Sequence, residues 1–119
     1  MTILVYEEGN VRKANVKDLL EIVKALLLLI PIGKVTSYKE IALMLGVSPR
    51  LVGRLMAMND EAPIVPCHRV VRSNGHIGGY SLEGGVEIKR RLLILEGVKF
   101  RNREYVSSEV MVSLKKFYK

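Results

Sequence analysis

Cysteine is almost absent from this sequence of 119 residues, and tryptophan is missing altogether. The one thiol, Cys67, cannot form an intrachain disulfide, and it excludes a zinc site built from four cysteine or cysteine and histidine ligands. We therefore expect no metal site. A lone thiol is typical of a reducing compartment, which predicts a cytoplasmic location.

Long apolar runs are absent as well. The longest covers residues 25–32, contains Pro31, and falls far short of the about 20 residues that cross a bilayer. No cleavable signal sequence follows Met1. The sequence therefore predicts a protein that does not associate with membranes.

Aromatic residues make up only 6% of the chain, so aliphatic side chains must form most of its core. The balance of 49% hydrophobic against 26% charged residues is typical of one folded domain, and we expect residues 1–119 to form a single unit. Lys and Arg outnumber Asp and Glu by 19 to 12, which gives a net charge of +7 and suits a polyanionic partner such as nucleic acid. Charge alone is weak evidence, because many basic proteins bind no specific partner.

Hydrophobic periodicity and turn residues predict a small, mainly helical α+β domain. A strand and turn segment occupies residues 1–15, and an extension of unclear pattern covers residues 98–119. The predicted elements outside the central motif are strands at 2–6 and 11–16, helices at about 16–30 and 86–96, an extended piece at 99–106 and a short helix at 108–117.

The central segment has the pattern of a helix-turn-helix, the winged-helix-like arrangement of many DNA-binding domains. Ser37 and Glu40 form a capping-box pattern that predicts a helix from Tyr38 to near Gly46, and a second helix follows over about 49–59. Ala42 lets two helices approach closely, and Gly46 permits a left-handed turn. Many unrelated helical hairpins share this pattern.

The second helix of this motif has two contrasting faces. Its apolar stripe consists of Leu51, Val52, Leu55, Met56 and Met58, and the opposite face carries Arg50, Gly53, Arg54 and Ala57. A glycine inside a helix costs about 1 kcal/mol relative to alanine, and Arg50 near the helix start opposes the macrodipole. A narrow basic face suits close approach to a nucleic-acid groove. The alternative is that Gly53 packs against protein and both arginines are merely solvated.

A second group of candidate residues is Cys67-His68-Arg69, which we expect just ahead of a β-hairpin over 70–77 with an Asn-Gly turn. A thiol is a strong nucleophile only as a thiolate, which needs a nearby base or cation. In an extended strand His68 could reach Cys67 only at a bend or through a water molecule. The alternative for a lone cysteine is a small buried hydrophobe.

Glu96 is an acid in the last turn of a predicted helix, where the helix dipole disfavours it. A cationic or histidine partner would explain its position, although an exposed and tolerated glutamate is the more common case.

Read together, these features resemble the O6-alkylguanine-DNA alkyltransferases over roughly residues 16–97. The segments that carry the resemblance are 30–38, the helix-turn-helix, Pro66-Cys67-His68-Arg69-Val70-Val71, Gly79-Tyr80-Ser81 and 92–97. The resemblance implies irreversible transfer of an alkyl group from the O6 atom of guanine to Cys67, in a single turnover and without a cofactor. It implies that His68 deprotonates Cys67 through a water and that Glu96 polarises His68.

The resemblance also implies binding of double-stranded DNA through the minor groove and flipping of the damaged nucleotide. Arg50 is then the finger that fills the vacated stack, and Tyr38 crowds the flipped phosphate and donates to the guanine. The other implied DNA contacts are Gly53, Arg54 and Ala57. The implied substrate pocket consists of Tyr38, Asn59, Val65, Tyr80 and Ser81, with Asn59 bracing the turn near the cysteine.

Three departures from the family pattern affect the expected site. Residues 1–15 stand where the family usually has a separate N-terminal domain. Asp60 and Ala62 replace residues that are usually proline, and the loop over 81–85 is about two residues longer than usual. We expect a monomer.

Two other functions remain open at this point. An alkyltransferase-like protein would bind the lesion without transferring the group, but such proteins typically carry tryptophan at the position of Cys67. A plain helix-turn-helix regulator would prefer a defined undamaged sequence, and it would leave the segment around Cys67 without a role.

Overall fold

The computed structural model describes residues 3–80 and 84–114. It begins with an antiparallel hairpin of β1 (Leu4–Glu7) and β2 (Asn10–Lys13). Glu8 and Gly9 form the turn, with φ values of 51° and 81°. The two predicted N-terminal strands are confirmed, and the turn is tighter than predicted because the residues flanking it pair with each other.

The first helix, α1 (Val16–Leu27), begins at a capping box. The Asn15 side chain accepts from the Asp18 N–H at 3.0 Å, and the Asp18 carboxylate accepts from the Asn15 N–H at 2.8 Å. The helix begins where predicted but ends before residue 30. The Ile30 N–H donates to the carbonyl three residues back, and the Ile30 carbonyl accepts from Arg69 Nη1 at 2.8 Å.

The helix-turn-helix pattern corresponds to α2 (Tyr38–Leu45) and α3 (Pro49–Ala57). The hydroxyls of Ser37 and Ser48 each accept from the backbone N–H of the third residue of the following helix, at 3.0 and 3.1 Å. Gly46 ends α2 in the left-handed region with φ 69°. The caps and the turn glycine therefore lie where the sequence predicts them.

Two details of this motif differ from prediction. The Glu40 carboxylate accepts from Ser113 Oγ at 2.6 Å, a partner from the far end of the chain. The second helix ends two residues early, because Asn59 leaves the helix and its Nδ2 donates to the Val65 carbonyl at 2.8 Å. Met58, predicted in the apolar stripe, is consequently 47% exposed.

The predicted hairpin around the Asn-Gly pair is wrong in its strand partners. The Asn-Gly turn forms, and the Arg72 N–H donates to the His76 carbonyl at 2.9 Å. However, β4 (Val70–Val71) pairs in parallel with β3 (Thr36–Ser37), and His76 forms an antiparallel bridge with Tyr105. Both partners are distant in the sequence, so a local turn signal could not reveal them.

Beyond the turn, α4 (Gly85–Leu95) agrees with the predicted helix to within one residue at each end. Gly97 follows it with φ 82°, as expected for a glycine that ends a helix. The next segment doubles back through an antiparallel bridge between Phe100 and Val106.

The predicted helix over 108–117 is wrong over its described part. A 3-10 turn at Ser108–Val110 is followed by extended backbone at Met111, and residues 115–117 lie outside the described range. The reason is pairing with Val35, whose N–H donates to the Val110 carbonyl at 2.9 Å and whose carbonyl accepts from the Val112 N–H at 2.8 Å. These bonds compete with those of a helix.

The described residues bury two apolar clusters. The larger joins α1, α2, α3 and the cysteine segment. The smaller is formed by Val35, Val71, Ile77, Leu93, Val98, Val106 and Val110. The described residues thus form a small α+β structure with four helices and one short antiparallel hairpin at residues 4–13. The predicted α+β fold class is confirmed, although the hairpin lies at the start of the chain and not at the Asn-Gly turn.

None of the helices within residues 3–80 and 84–114 has the length and apolar character required to span a membrane.

Candidate active site

Cys67 lies at the wall of a cavity of about 300 Å³, between the helix-turn-helix and the segment that follows β4. The thiol-bearing residue is only 3% exposed, so a reacting group must enter the cavity to reach it. The cavity is lined by Tyr38, Gly53, Met56, Ala57, Cys67, Gly79 and Tyr80. The structure therefore brings together five of the residues that the sequence assigned to binding or chemistry.

The backbone around Cys67 is held by a buried asparagine. The Val65 carbonyl accepts from both the Cys67 N–H at 2.9 Å and Asn59 Nδ2 at 2.8 Å. Neither Asn59 nor Val65 is in the wall of the cavity, where the sequence placed them, because both are buried behind it. Their position matches the bracing of the cysteine segment, and Ser81 lies outside the described residues.

His68 does not follow Cys67 in an extended strand. Cys67–Arg69 forms a 3-10 helical turn, and the buried His68 ring donates through Nε2 to Glu96 Oε1 at 3.0 Å. Because a carboxylate only accepts, this bond places the ring hydrogen on Nε2 and leaves the lone pair of a neutral ring on Nδ1. That buried Nδ1 has no hydrogen-bond partner among the described residues.

Glu96 has a second partner in Arg69. Its two carboxylate oxygens accept from Arg69 Nε at 2.9 Å and from Arg69 Nη2 at 2.7 Å, in a bidentate pair. This pair and the bond from His68 explain an acid at the C-terminal end of α4. The sequence predicted a partner for Glu96 but did not identify Arg69.

The ionisation of this cluster follows from its burial and its pairing. Burial lowers the pKa of His68 below its usual value, although the bond to Glu96 acts in the opposite direction. Burial raises the pKa of Glu96, but the bonds from Arg69 and His68 outweigh it and leave that pKa below its usual value. Near neutral pH the cluster therefore contains a neutral imidazole beside an ionised carboxylate.

Lys89 on α4 is completely buried, and it was not among the predicted site residues. Its Nζ donates to the carbonyls of Val70 at 2.8 Å and Gly79 at 3.1 Å, and it lies 3.5 Å from the Tyr38 hydroxyl. Burial lowers the pKa of Lys89 to about 8, with the nearby Cys67 acting in the opposite direction. One sequence signal could have indicated that Lys89 is buried. It stands four residues before Leu93, and residues at this spacing lie on the same face of a helix.

Two tyrosines flank the thiol. Burial, and to a lesser extent Cys67, raises the pKa of both Tyr38 and Tyr80, so both phenols are neutral at physiological pH. The Tyr80 ring meets the His68 ring edge-on, with centroids 6.5 Å apart. The tyrosines therefore present neutral hydroxyl groups beside the thiol.

A larger open cavity of about 690 Å³ lies next to the first and shares Tyr38 and Gly53 with it. It is lined by Tyr38, Lys39, Pro49, Arg50, Gly53, Arg72, Ser73 and Asn74. A Cβ built at Gly53 would have no heavy atom within 4 Å. Gly53 therefore does not serve packing within the described part of the chain, which removes the packing half of that alternative.

The remaining predicted positions lie near this surface. Arg50, Arg54 and Ala57 are exposed on α3. Asp60 pairs at 3.3 Å with Lys24 of α1, away from the cavity wall. Within residues 3–80 and 84–114, no three His, Cys, Asp or Glu side chains gather as a metal site would require.

A family model described as 6-O-methylguanine DNA methyltransferase, DNA binding domain, matches residues 19–98. The chain belongs to this family. The match includes the helix-turn-helix, the cysteine segment and Glu96, and it ends where the C-terminal segment begins.

Relatives in the family carry the name methylated-DNA–protein-cysteine methyltransferase. One from Pyrobaculum aerophilum is 57% identical over 79 residues, which are 65% of this chain and 52% of the relative. One from Saccharolobus solfataricus is 59% identical over 70 residues, which are 59% of this chain and 44% of the relative. The chain thus spans about half the length of the curated relatives it matches.

Solved structures with the same fold include complexes with DNA. S. pombe Atl1, in complex with damaged DNA containing O6-carboxymethylguanine, is 30% identical with a TM-score of 0.71, over 84% of this chain and 99% of Atl1. Mycobacterium tuberculosis OGT in complex with DNA is 44% identical with a TM-score of 0.62, over 67% of this chain and 50% of that protein.

Proposed function

We propose that this protein repairs DNA by flipping an O6-alkylguanine out of the double helix and transferring the alkyl group irreversibly to Cys67. The observation that carries the proposal is the position of Cys67 in the wall of a cavity, beside the His68–Glu96 pair. The names of the relatives support the same reaction. In the proposed reaction the protein is consumed in one turnover, because the alkylated sulfur of Cys67 is no longer a thiol.

The chemistry begins with the proton of the thiol. In the proposed reaction His68 Nδ1 takes this proton through a water, and Glu96 stabilises the imidazolium that forms. The sulfur then attacks the alkyl carbon, a C–S bond forms and the C–O6 bond breaks with its electron pair passing to guanine. A thioether remains on Cys67. The guanine anion gains one proton, which balances the proton that the thiol gave to His68, and guanine is restored.

Tyr38 is proposed to assist the departing guanine. An ammonium group only donates, so Lys89 approaches the Tyr38 oxygen as a donor and the hydroxyl hydrogen of Tyr38 is directed elsewhere. Because Tyr38 lines both cavities, that hydrogen is available to a base held between them. The neutral phenol can therefore donate as negative charge develops on guanine.

The proposed DNA surface is the open face of α3, which would enter the minor groove. Gly53 and Ala57 have the smallest side chains on this face, which allows DNA to approach the helix backbone closely. Arg54 is placed to meet the phosphate backbone. Arg50 is proposed to fill the space left by the flipped base. Tyr80 and Ser81 would receive the base, while Asn59 and Val65 support the wall from behind.

The remaining parts of the proposal concern organisation and location. We propose that residues 1–119 work as one DNA-binding and transfer unit with an extension over 98–119. Val98, Val106 and Val110 of this extension complete the second apolar cluster. A monomer suffices, because each group in the proposed reaction comes from one chain. The reduced thiol that the reaction needs supports a cytoplasmic location.

The likeness to S. pombe Atl1 supports a second candidate, lesion binding without transfer, because it extends over 99% of that protein. The two candidates differ in the fate of the DNA. Transfer restores guanine, whereas binding alone returns the duplex with its lesion unchanged.

The test is incubation of excess protein with a duplex containing one O6-methylguanine, followed by base analysis of the recovered DNA. The transfer proposal predicts conversion of the lesion to guanine by the wild type, and binding without conversion by Cys67→Ala. Recovery of the unchanged lesion from a complex with the wild type would support lesion binding alone. Tighter binding of an undamaged sequence would instead support a regulator.

A further inference from the structure

The arginines of this chain divide into two groups by their partners. Five of the nine have a carboxylate oxygen within 4.0 Å, namely Arg12, Arg69, Arg90, Arg91 and Arg103. The other four form no ion pair with any residue in the described ranges, and they are Arg50, Arg54, Arg72 and Arg101. The first three of these four lie on or beside the proposed DNA surface. The fourth lies outside the segment that matches the family.

Arg101 belongs to the segment that doubles back after α4 and packs on the Asn-Gly turn. The Gly75 carbonyl accepts from the Val106 N–H at 2.9 Å, and the Ile77 N–H donates to the Glu104 carbonyl at 2.9 Å. These bonds join the segment to the same turn that borders the larger cavity. The position of Arg101 is therefore fixed relative to the proposed DNA surface.

The Arg101 side chain is itself held in place. Its guanidinium carbon lies 4.7 Å from the centroid of the Tyr105 ring, and its Nη2 donates to the Asn74 carbonyl at 3.1 Å. Arginine has five N–H donors, and this carbonyl takes one of them. The Arg101 guanidinium is thus held in one orientation, and no carboxylate among the described residues pairs with its charge. Its remaining N–H donors can bind an anion.

The depression beside Arg101 adjoins the larger cavity. It has a volume of about 170 Å³ and is lined by Ser73, Asn74, Arg101, Val106, Ser108 and Met111. Ser73 and Asn74 also line the larger cavity, which holds Arg50 and Arg72. Because Ser73 and Asn74 border both the depression and the larger cavity, Arg101 lies on the same basic surface as Arg50 and Arg72.

We propose that Arg101 binds a phosphate of the DNA backbone and extends the DNA footprint beyond the region that matches the family. The inference rests on the proposed function, because it names a further contact to the same partner. The contact is to phosphate and not to a base, so it acts equally on damaged and undamaged duplexes.

The test compares the salt dependence of DNA binding between wild type and Arg101→Gln. Each phosphate that a protein neutralises contributes about 0.9 to the slope of log affinity against log salt concentration. We expect Arg101→Gln to lower the slope by about one and to weaken binding severalfold at low salt. The ratio of affinities for duplexes with and without O6-methylguanine should not change.

The matched control is Arg103→Gln, which removes the same charge from the same segment. Arg103 is 74% exposed, but it faces the Glu87 carboxylate at 3.7 Å, so its removal should leave the slope nearly unchanged. Arg101→Lys keeps the charge and should restore most of the slope. Equal thermal unfolding of the three variants establishes that they fold alike.

Two results would overturn the inference. One is an Arg101→Gln variant with the wild-type slope and affinity. The other is an Arg103→Gln variant whose slope and affinity fall as much as those of Arg101→Gln, because the effect would then come from the lower net charge alone. Arg50→Gln separates these results from the proposed function. If Arg50→Gln weakens binding and Arg101→Gln does not, the proposed function stands and the inference fails, whereas a wild type that binds no DNA removes both.

Discussion

Glu96 and Lys89 are charged residues in positions that cost free energy, one at the unfavourable end of a helix dipole and one fully buried. In both cases the structure supplies the compensation. Glu96 accepts from His68 and Arg69, and Lys89 donates to two backbone carbonyls. Glu96 bonds to the histidine that follows Cys67, and Lys89 lies near enough to Cys67 to interact with it electrostatically. Both residues are therefore suitable for tests at the scale of single residues.

Replacing Glu96 by glutamine should slow alkyl transfer at least about tenfold at neutral pH, because the imidazolium of His68 loses its anionic partner. The rate of the wild type should fall as the pH drops below 6.5, since burial puts the pKa of His68 below that usual value. In Glu96→Gln this fall should move to lower pH, because Glu96 raises the pKa of His68.

The measurement for Glu96 is the single-turnover rate of transfer as a function of pH. Glu87→Gln is the control, since Glu87 is on the same helix but pairs with Arg90 away from the thiol. A variant with the wild-type rate and the wild-type pH profile would remove Glu96 from the proposed reaction.

Lys89 should make stability rise with pH. Its pKa is about 8 in the folded protein against 10.5 for the free side chain, so between these values the unfolded chain binds more protons. The free energy of unfolding should therefore increase from pH 8 upward, by as much as about 3 kcal/mol from this group. Above about pH 10 the raised pKa values of Tyr38 and Tyr80 act in the opposite direction.

Denaturant unfolding of wild type and Lys89→Met between pH 7 and about 9.5 measures this dependence. The rise should be present in the wild type and absent in Lys89→Met, whatever the absolute stability of the variant. An identical slope in both proteins would show that Lys89 keeps an ordinary pKa.

At the scale of elements, α3 has a glycine where a helix prefers alanine. Because nothing lies within 4 Å of a Cβ at Gly53, Gly53→Ala should stabilise the free protein by about 1 kcal/mol. The added methyl group projects into both cavities, so DNA binding should weaken. Denaturant unfolding measures the change in stability, and a DNA-binding titration on the same preparation measures the change in affinity. A Gly53→Ala variant that is more stable and keeps the full affinity for DNA would contradict a DNA contact at this position.

The capping residues of the helices were predictable from the sequence because their signals are local. The serine caps, the left-handed glycine after α2 and the glycine after α4 all lie where expected. Strand partners were not predictable, since β3, β4 and the bridge to Tyr105 join segments that are far apart in the chain. The end of α3 was missed for a different reason, because the Asn59 side chain bonds to the Val65 carbonyl across a loop whose path the sequence pattern does not give.

The candidate site shows the same division. Cys67, His68, Tyr38 and Tyr80 could be selected because they stand in a recognisable segment or motif. The partners of Arg69 and Lys89 and the place of Arg72 in the cavity wall could not be predicted, because they depend on distances between α4, the cysteine segment and the Asn-Gly turn.

At the scale of the whole molecule, the segment after α4 completes a second apolar cluster. Val98, Val106 and Val110 cover Val35 and Leu93, and Thr36 Oγ1 donates to the Val112 carbonyl at 3.0 Å. Deletion of residues 99–119 should therefore lower the unfolding midpoint strongly or abolish cooperative unfolding, although the region that matches the family is kept intact. A truncated chain with an unchanged midpoint in thermal unfolding would show that this cluster contributes little.

The central claim is that the alkyl group ends on Cys67. Intact-protein mass spectrometry after incubation with a duplex containing O6-methylguanine, with peptide mapping, tests it directly. Transfer to Cys67 adds the mass of one methylene group, confined to the peptide that contains Cys67 and absent in Cys67→Ala. An unchanged mass in a protein that demonstrably binds the same duplex would contradict it.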